Sequence, residues 1–273
     1  MKNPKPGPAS FDLTGKVAVV TGGGGALGSE ICAGLARAGA SVVVVDLRQE
    51  DAARVVRGIE QEGGKALALA ANVSQEDEVR QLFEKIDGAF SGVDILVNGV
   101  AGGFDRQQPE NIPFADWEKG LKINLNSYFL CSKAAGQRMI KAQRGGSIVN
   151  IASIAGISSL GRGAMPYGVA KAGILQLTRE HSFAWARHNI RVNAILPCQF
   201  TNRWWAERQA DPVSQPLVKR VLNGIPLGRL GEAHEIVGPV LFLASEAASM
   251  VTGISLPVDG GNLAMNAGGS LEW

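Results

Sequence analysis

The chain has 273 residues, 45% of them hydrophobic and 19% charged, with 35 glycines, a composition that suits a globular protein with many tight turns and argues against a coiled coil. Formal net charge is +2 with acids and bases interspersed, so no basic stripe marks a nucleic-acid or anionic-membrane surface, and small molecules are the expected partners. Cys32, Cys131 and Cys198 lack the spacing of a disulfide framework or zinc site, and no apolar run is long enough to span a bilayer, which predicts a reduced, cytoplasmic setting.

From Lys16 onward, short apolar runs alternate with longer amphipathic ones. "KVAVVTG" is followed by a predicted helix from about Ala26 to Arg37, "SVVVVD" by one from about Glu50 to Gln61, and "ALALAANV" by one from about Glu76 to Phe90. "VDILVNG" leads to a long helical stretch from about Leu121 to Lys141, and "GSIVNIAS" to a helix from about Pro166 to Arg187. "IRVNAIL", a helix from about Ala233 to Ala244 and a last strand near "GISLPVDGG" complete the series. Such alternation builds βαβ units. The predicted fold is therefore α/β: a single doubly wound Rossmann-type domain over residues 11–273, with a seven-stranded parallel sheet and helices on both faces, behind a flexible arm at residues 1–10. Between Pro197 and Leu227 about thirty residues show no strand pattern; so long a segment inside a compact domain reads as a substrate lid, about 198–226. The tail "NLAMNAGGSLEW" reads as a frayed terminus.

Two stretches carry chemistry. "VVTGGGGALG", Val19 to Gly28, follows the first strand and opens the first helix, where glycines let the backbone approach a pyrophosphate and helix N-terminal amides face its charge. Asp46 ends the second strand, placed to accept from both ribose hydroxyls and to repel a 2′-phosphate, which favours NAD over NADP. Arg48 lies close enough to keep NADP as the lesser possibility. The second stretch is "MPYGVAK", which sets Tyr167 and Lys171 four residues apart on one helical face. A phenol is a poor base at neutral pH unless a nearby cation stabilises its anion, and an ammonium one turn away can do that. Pro166 suits the first turn of that helix.

Thr21, Gly22, Gly28, Asp46, Asn98, Asn124, Ser153, Tyr167 and Lys171, in this order and with "RVNAILP" and "PVDGG", resemble the short-chain dehydrogenase/reductase family from about Phe11 to Gly261. The resemblance implies an oxidoreductase that moves hydride between a secondary alcohol and a nicotinamide cofactor. Tyr167 would be the general acid/base. Lys171 would lower the tyrosine pKa and hold the nicotinamide ribose, Ser153 would orient the substrate oxygen, and Asn124 would order a water linking the lysine to solvent. Ser158 and Ser159 are competing hydroxyls. The implied cofactor contacts are Gly22, Gly24, Leu27, Gly28, Asp46, Asn72, Val73, Asn98, Tyr167, Lys171 and Pro197, with Asn98 also supporting the sheet. A homotetramer is implied as well. Departures from the family pattern are Ala26 at the middle glycine, "NGVAG" after Asn98, Asn72 where an acid commonly meets the adenine, Cys198 after Pro197, and one extra residue between Ser153 and Tyr167.

Arg106, Arg162, Arg203 and Trp204 are candidate substrate contacts, and with Asp105, Gln199 and Asn202 they suit a sugar, sugar acid, polyol or cyclic alcohol. Trp204 and Trp205 equally suit a greasy pocket or a subunit contact. The alternative activity is an NADPH-dependent ketone reductase like the 3-oxoacyl carrier-protein reductases, against which Asp46 argues. His181, His188 and His234 fit neither a metal set nor a triad and read as helix-surface residues, so no metal is expected.

Overall fold

The computed structural model describes residues 11–90, 92–102, 105–161 and 163–265. The arm at 1–10, Arg162 and the tail at 266–273 lie outside the described residues, as does the side chain of Arg203.

Seven apolar runs become β1 (Val17–Thr21), β2 (Ser41–Asp46), β3 (Lys65–Ala70), β4 (Ile95–Asn98), β5 (Gly146–Ile151), β6 (Ile190–Pro197) and β7 (Ser255–Val258). They form one parallel sheet in the order β3-β2-β1-β4-β5-β6-β7. A strand buried on both faces has no polar side, which explains the unbroken valine runs. Successive side chains alternate between two cores. Val20, Val42 and Val44 pack with Ile31, Leu35 and Val240 on one face. Val19, Val43 and Val45 pack with Phe83, Ile86 and Met139 on the other.

The covering helices are α1 (Ala26–Arg37), α2 (Gln49–Gln61), α3 (Glu76–Ala89), α4 (Phe114–Leu121), α5 (Ser127–Ala142), α6 (Met165–Trp185), α7 (Arg203–Ala210), α8 (Gln215–Asn223) and α9 (Val237–Ala244). The helix read over 121–141 is two helices, α4 and α5, joined by a π turn at Lys122–Asn126. Its start at Phe114 follows Pro113, which supplies no side-chain cap. The stretch without strands holds α7 and α8, with Asn202 capping α7 by accepting from Trp205 N at 3.0 Å. Trp205, Val218, Val221, Ile225 and Leu230 give this lid a small core of its own. A single bridge between Phe200 and Gly231 ties it to the chain leading into α9.

His181 is half-buried and not simply exposed on its helix. It stacks on Trp185 at 4.2 Å and lies 6.4 Å from Phe129, and burial pulls its pKa down to about 4. Asn98 supports the sheet, as the resemblance implies, but does not line the groove as a cofactor contact. In β4 it shares a face with Leu96, which belongs to the second core, so its side chain turns inward, 1% exposed. There Asn98 Nδ2 donates to Ser132 Oγ at 3.0 Å and to Asn150 Oδ1 at 2.9 Å, and Asn150 Nδ2 donates to Thr178 Oγ1 at 2.9 Å. This buried chain ties β4 and β5 to α5 and α6, the two helices that carry the candidate site.

Because a buried polar group left without its partner costs about 1–3 kcal/mol, Asn150→Ala is expected to destabilise the protein by that amount. The check is a lower midpoint of urea unfolding at an unchanged slope.

Candidate active site

All strands run the same way, and the crossovers leave in opposite directions on either side of the β1/β4 pair. A crevice opens at the carboxyl ends of such a pair. Here it is a groove of two joined cavities, about 630 and 280 Å³, that share Ala26, Leu27, Gly28, Gly99, Ala101 and Asn202.

The larger cavity is floored by the glycine loop. Gly22 has φ +69°, and a Cβ on Gly28 would strike the Gly22 carbonyl oxygen, so the loop closes directly on the first turn of α1. Gly25 is the N-cap of α1 without a side-chain hydrogen bond, and its first turn holds no acid, leaving the leading amides to an anion. Ala26 is the first residue of α1, where the backbone is already helical and a methyl in place of glycine is tolerated. Asp46 sits at the wall of this cavity beside Leu47, Asn72 and Val73. Its Oδ2 accepts from Gly24 N at 2.9 Å and its Oδ1 from Leu47 N at 2.8 Å, which fixes the carboxylate. Gly24 thus positions Asp46 instead of lining the groove. A Cβ there would come within 2.6 Å of Asp51 Cβ and 2.9 Å of Asp46 Oδ2. The carbonyl oxygen of Asn72 is already taken, accepting from Ser74 N at 3.2 Å and Ser74 Oγ at 2.8 Å, so it serves the local turn. Amide donors at one end and a fixed carboxylate along the wall fit a dinucleotide.

Ser153, Tyr167, Lys171 and Pro197 line the smaller cavity together. Ser153 follows β5 and caps a short 3₁₀ turn, accepting from Ala155 N at 3.1 Å, which holds its hydroxyl in place. The turn beginning α6 is held by close packing: a Cβ on Gly120 would lie 2.7 Å from Pro166 Cβ. Tyr167, next in line, hydrogen-bonds Ser153 and also faces a third cavity of about 710 Å³ walled by Gln107, Gln108, Ser158 and Ser159. Ser158 Oγ donates to Ile154 O at 2.9 Å and Ser159 Oγ accepts from Gly161 N at 3.3 Å, so both are occupied in their own loop. Burial raises the Tyr167 pKa above its ordinary value, against the lowering effect of the Ser153 hydrogen bond.

Lys171 is 2% exposed, and burial pulls its pKa down to about 7. Its Nζ donates to Tyr128 Oη and to Ile151 O, each at 2.9 Å, and stands 5.5 Å from the centre of the Tyr167 ring. Asn124, fully buried in the π turn, does not reach the lysine. Its Nδ2 donates to Gly102 O at 2.7 Å and Gly120 O at 2.8 Å, while its Oδ1 accepts from Gly102 N at 3.1 Å. It anchors the chain after β4 to the end of α4.

Of the candidate substrate residues, Arg203 opens α7. Trp204 packs edge-on against Trp205 at 4.7 Å, with the guanidiniums of Arg106 and Arg208 over its ring at 4.9 and 3.4 Å. The tryptophan that lines the groove is Trp205, 3% exposed. Tyr128 and Thr201 escape the sequence reading. Thr201 lines the smaller cavity four residues after the end of β6. Tyr128 is signalled only by lying four residues after Asn124, the same spacing that separates Tyr167 from Lys171.

Comparison with known proteins agrees with this geometry. A family model described as enoyl-(acyl carrier protein) reductase matches residues 24–262. A 2-dehydro-3-deoxy-D-gluconate 5-dehydrogenase of Escherichia coli (strain K12) is 35% identical over 257 residues, 94% of this chain and 98% of the relative. An NAD-dependent glycerol dehydrogenase of Listeria innocua serovar 6a is 34% identical, covering 92% of this chain and 95% of the relative. The solved structure of a gluconate 5-dehydrogenase from Burkholderia cenocepacia J2315 in complex with NADP and tartrate superposes with a TM-score of 0.86 at 30% identity, over 94% of this chain and 99% of that one. With a glycine loop, a fixed Asp46 and a Ser153–Tyr167–Lys171 cluster on one groove, and relatives of this kind along nearly its whole length, the chain belongs to the short-chain dehydrogenase/reductase family.

Proposed function

We propose that this protein oxidises a secondary alcohol of a polyol, sugar, sugar acid or cyclic alcohol, or reduces the matching ketone, with NAD and with Tyr167 as general acid/base. The observation that carries the reading is the meeting of Ser153, Tyr167 and Lys171 where the groove joins the cavity beyond Tyr167. The glycine loop and the α1 amides would hold the pyrophosphate, Asp46 the adenosine ribose and Lys171 the nicotinamide ribose. When bound, the cofactor supplies the hydride acceptor or donor. Tyr167 then takes the alcohol proton in oxidation and returns it in reduction. Ser153 holds the reacting oxygen against the phenol, and the ammonium of Lys171 favours the phenolate that burial opposes. Gln107 and Gln108 would read the remaining hydroxyls, and Asn124 would act on the site through the loop it anchors.

Asp46 supports NAD over NADP, since a carboxylate fixed by Gly24 N and Leu47 N repels a 2′-phosphate. Arg48, two residues on, is paired with Asp51 at 2.6 Å, and Arg54 donates to Gly24 O at 2.7 Å. Homotetramer assembly belongs to the same proposal, supported by Phe129 on α5 and Phe183 on α6, 44% and 88% exposed. A cytoplasmic setting is supported by the buried thiols of Cys32 and Cys131.

Tyr167→Phe is expected to reduce turnover by about 10²–10⁴-fold, the range for loss of a general acid/base, with cofactor binding retained in a fluorescence titration. Turnover equal to wild type would remove the tyrosine from the chemistry. Asp46→Ala is expected to narrow the preference for NADH over NADPH, read as the ratio of the two Kd values.

Lys171 also makes a stability prediction. Its pKa is about 7 in the fold and about 10.4 in an unfolded chain, so between those values the unfolded state binds more protons and stability rises with pH. Below pH about 7 the full penalty of burying the charge is present. Lys171→Met should therefore raise the urea midpoint at pH 6 and lose that advantage by about pH 10.5.

A further inference from the structure

The chain contains two tyrosines, and both face Lys171: its Nζ lies 4.6 Å from the ring centre of Tyr128 and 5.5 Å from that of Tyr167. Tyr167 serves the reaction proposed above. Tyr128 does not, because it is 1% exposed and absent from the walls of the groove. Its hydroxyl nevertheless lies 2.9 Å from Lys171 Nζ, 2.7 Å from Ile151 O and 3.0 Å from Val100 O. The single phenol proton goes to one of these carbonyls, leaving the oxygen lone pairs to accept from the ammonium. Lys171 also donates to Ile151 O at 2.9 Å. Two of its three N–H bonds are then committed to the interior, and one remains for the groove.

We propose that Tyr128 is the positioning residue of Lys171: its hydroxyl accepts from the ammonium, holds it against the end of β5 and aims its remaining proton at the Tyr167 side of the groove. The proposal rests on the reading of Tyr167 as the proton-transfer group.

Electrostatics agree with a clamp that keeps the charge. The titratable groups around Lys171 are Tyr167 on its own helix, Tyr128 on α5 with Cys131 one turn further on, and Cys198 across the small cavity. Burial pushes the Cys131 thiol up to about 12 and the Tyr128 phenol well above its usual range, so both are neutral where the lysine titrates. Among the described residues no carboxylate contributes to the Lys171 pKa; burial alone moves it. The ammonium survives on neutral acceptors, and Tyr128 supplies one of the two. Removing that acceptor disfavours the charged form and lowers the lysine pKa by about one unit, the worth of a hydrogen bond to a charged group.

The two tyrosines make a direct test possible without substrate or cofactor. Protein labelled with ¹³Cζ-tyrosine is titrated from pH 5 to 10 by NMR, with Tyr167→Phe assigning the two signals. The expected result is a small step in the Tyr128 signal near neutral pH, well short of a phenolate shift and absent in Lys171→Met. In Tyr128→Phe, which keeps the ring, the step is read from Tyr167 and moves down by about one pH unit. For alcohol oxidation, the ascending limb of the kcat–pH profile of Tyr128→Phe moves up, because less ammonium is left to favour the Tyr167 phenolate. A Tyr128 signal flat from pH 5 to 10 in wild type overturns the clamp, and that measurement stands even where Tyr128→Phe does not fold. An unmoved kcat–pH limb in a folded, active Tyr128→Phe overturns it too. Loss of the dehydrogenase reading shows up separately, as a wild type that carries the Tyr128 step yet neither binds NADH nor turns over alcohols.

Discussion

A parallel sheet brings every strand's carboxyl end to one edge, and in this protein that edge is where all the chemistry has to be built. β1 delivers the glycine loop, β2 Asp46, β4 the chain anchored by Asn124, β5 Ser153, and β6 Pro197 and the lid. None of these could meet if one strand ran the other way. The reversal of crossover direction between β1 and β4 then prevents any helix from covering that edge at its centre, so the groove follows from connectivity before any side chain is considered. β1, buried throughout, runs through the middle of the sheet beneath that groove.

What distinguishes the floor of that site is a cation without an anion. Lys171 is held by a phenol oxygen and a peptide carbonyl, both neutral, which costs folding free energy at neutral pH. A carboxylate in the same place would repay the cost and would also cancel the positive field beside Tyr167. Neutral acceptors keep the charge in position without neutralising it. The buried Asn98–Asn150–Thr178 chain meets the complementary requirement, holding β4, β5 and α6 in register so that a lysine on a helix and a carbonyl on a strand stay within hydrogen-bond reach.

Much of this was readable in the residues, and where the reading failed the cause is physical. The valine runs declare strands buried on both faces, and the alternation of apolar and amphipathic segments declares the parallel sheet. The break between α4 and α5 is not visible, because a π turn continues the right-handed helical backbone and needs no glycine or proline to mark it. Asp46 and the Tyr167–Lys171 pair are legible from local spacing: a strand end and one helical turn. Asn98 supports the sheet as the resemblance implies, and strand parity already puts it on the face of Leu96 and away from the cofactor groove. Tyr128 could not be found this way, since it reaches Lys171 across 43 residues of chain through a tertiary contact between α5 and α6. His181 likewise owes its burial to Trp185 and to packing from α5, not to its own helix alone.

The lid shows how the two halves of the sheet are coupled. Arg106 lies on the loop after β4 and Trp204 on α7, after β6, yet the guanidinium sits 4.9 Å over the indole, with Arg208 on the same ring at 3.4 Å. Two cations on one aromatic face or edge repel each other at close range, so the ring is what makes their proximity favourable. Of the arginines read from the sequence as anion receptors, Arg106 is in this way committed to an aromatic ring on α7. The walls nearer Tyr167 are amides and hydroxyls, Gln107, Gln108, Ser158 and Ser159. Neutral groups that both donate and accept can match a hydroxyl in either sense, and a site built to bond a hydroxyl rejects an analogue lacking it more strongly than an apolar wall rejects an extra methylene. The arginine–tryptophan stack thus holds the loop that carries Gln107 and Gln108 against α7.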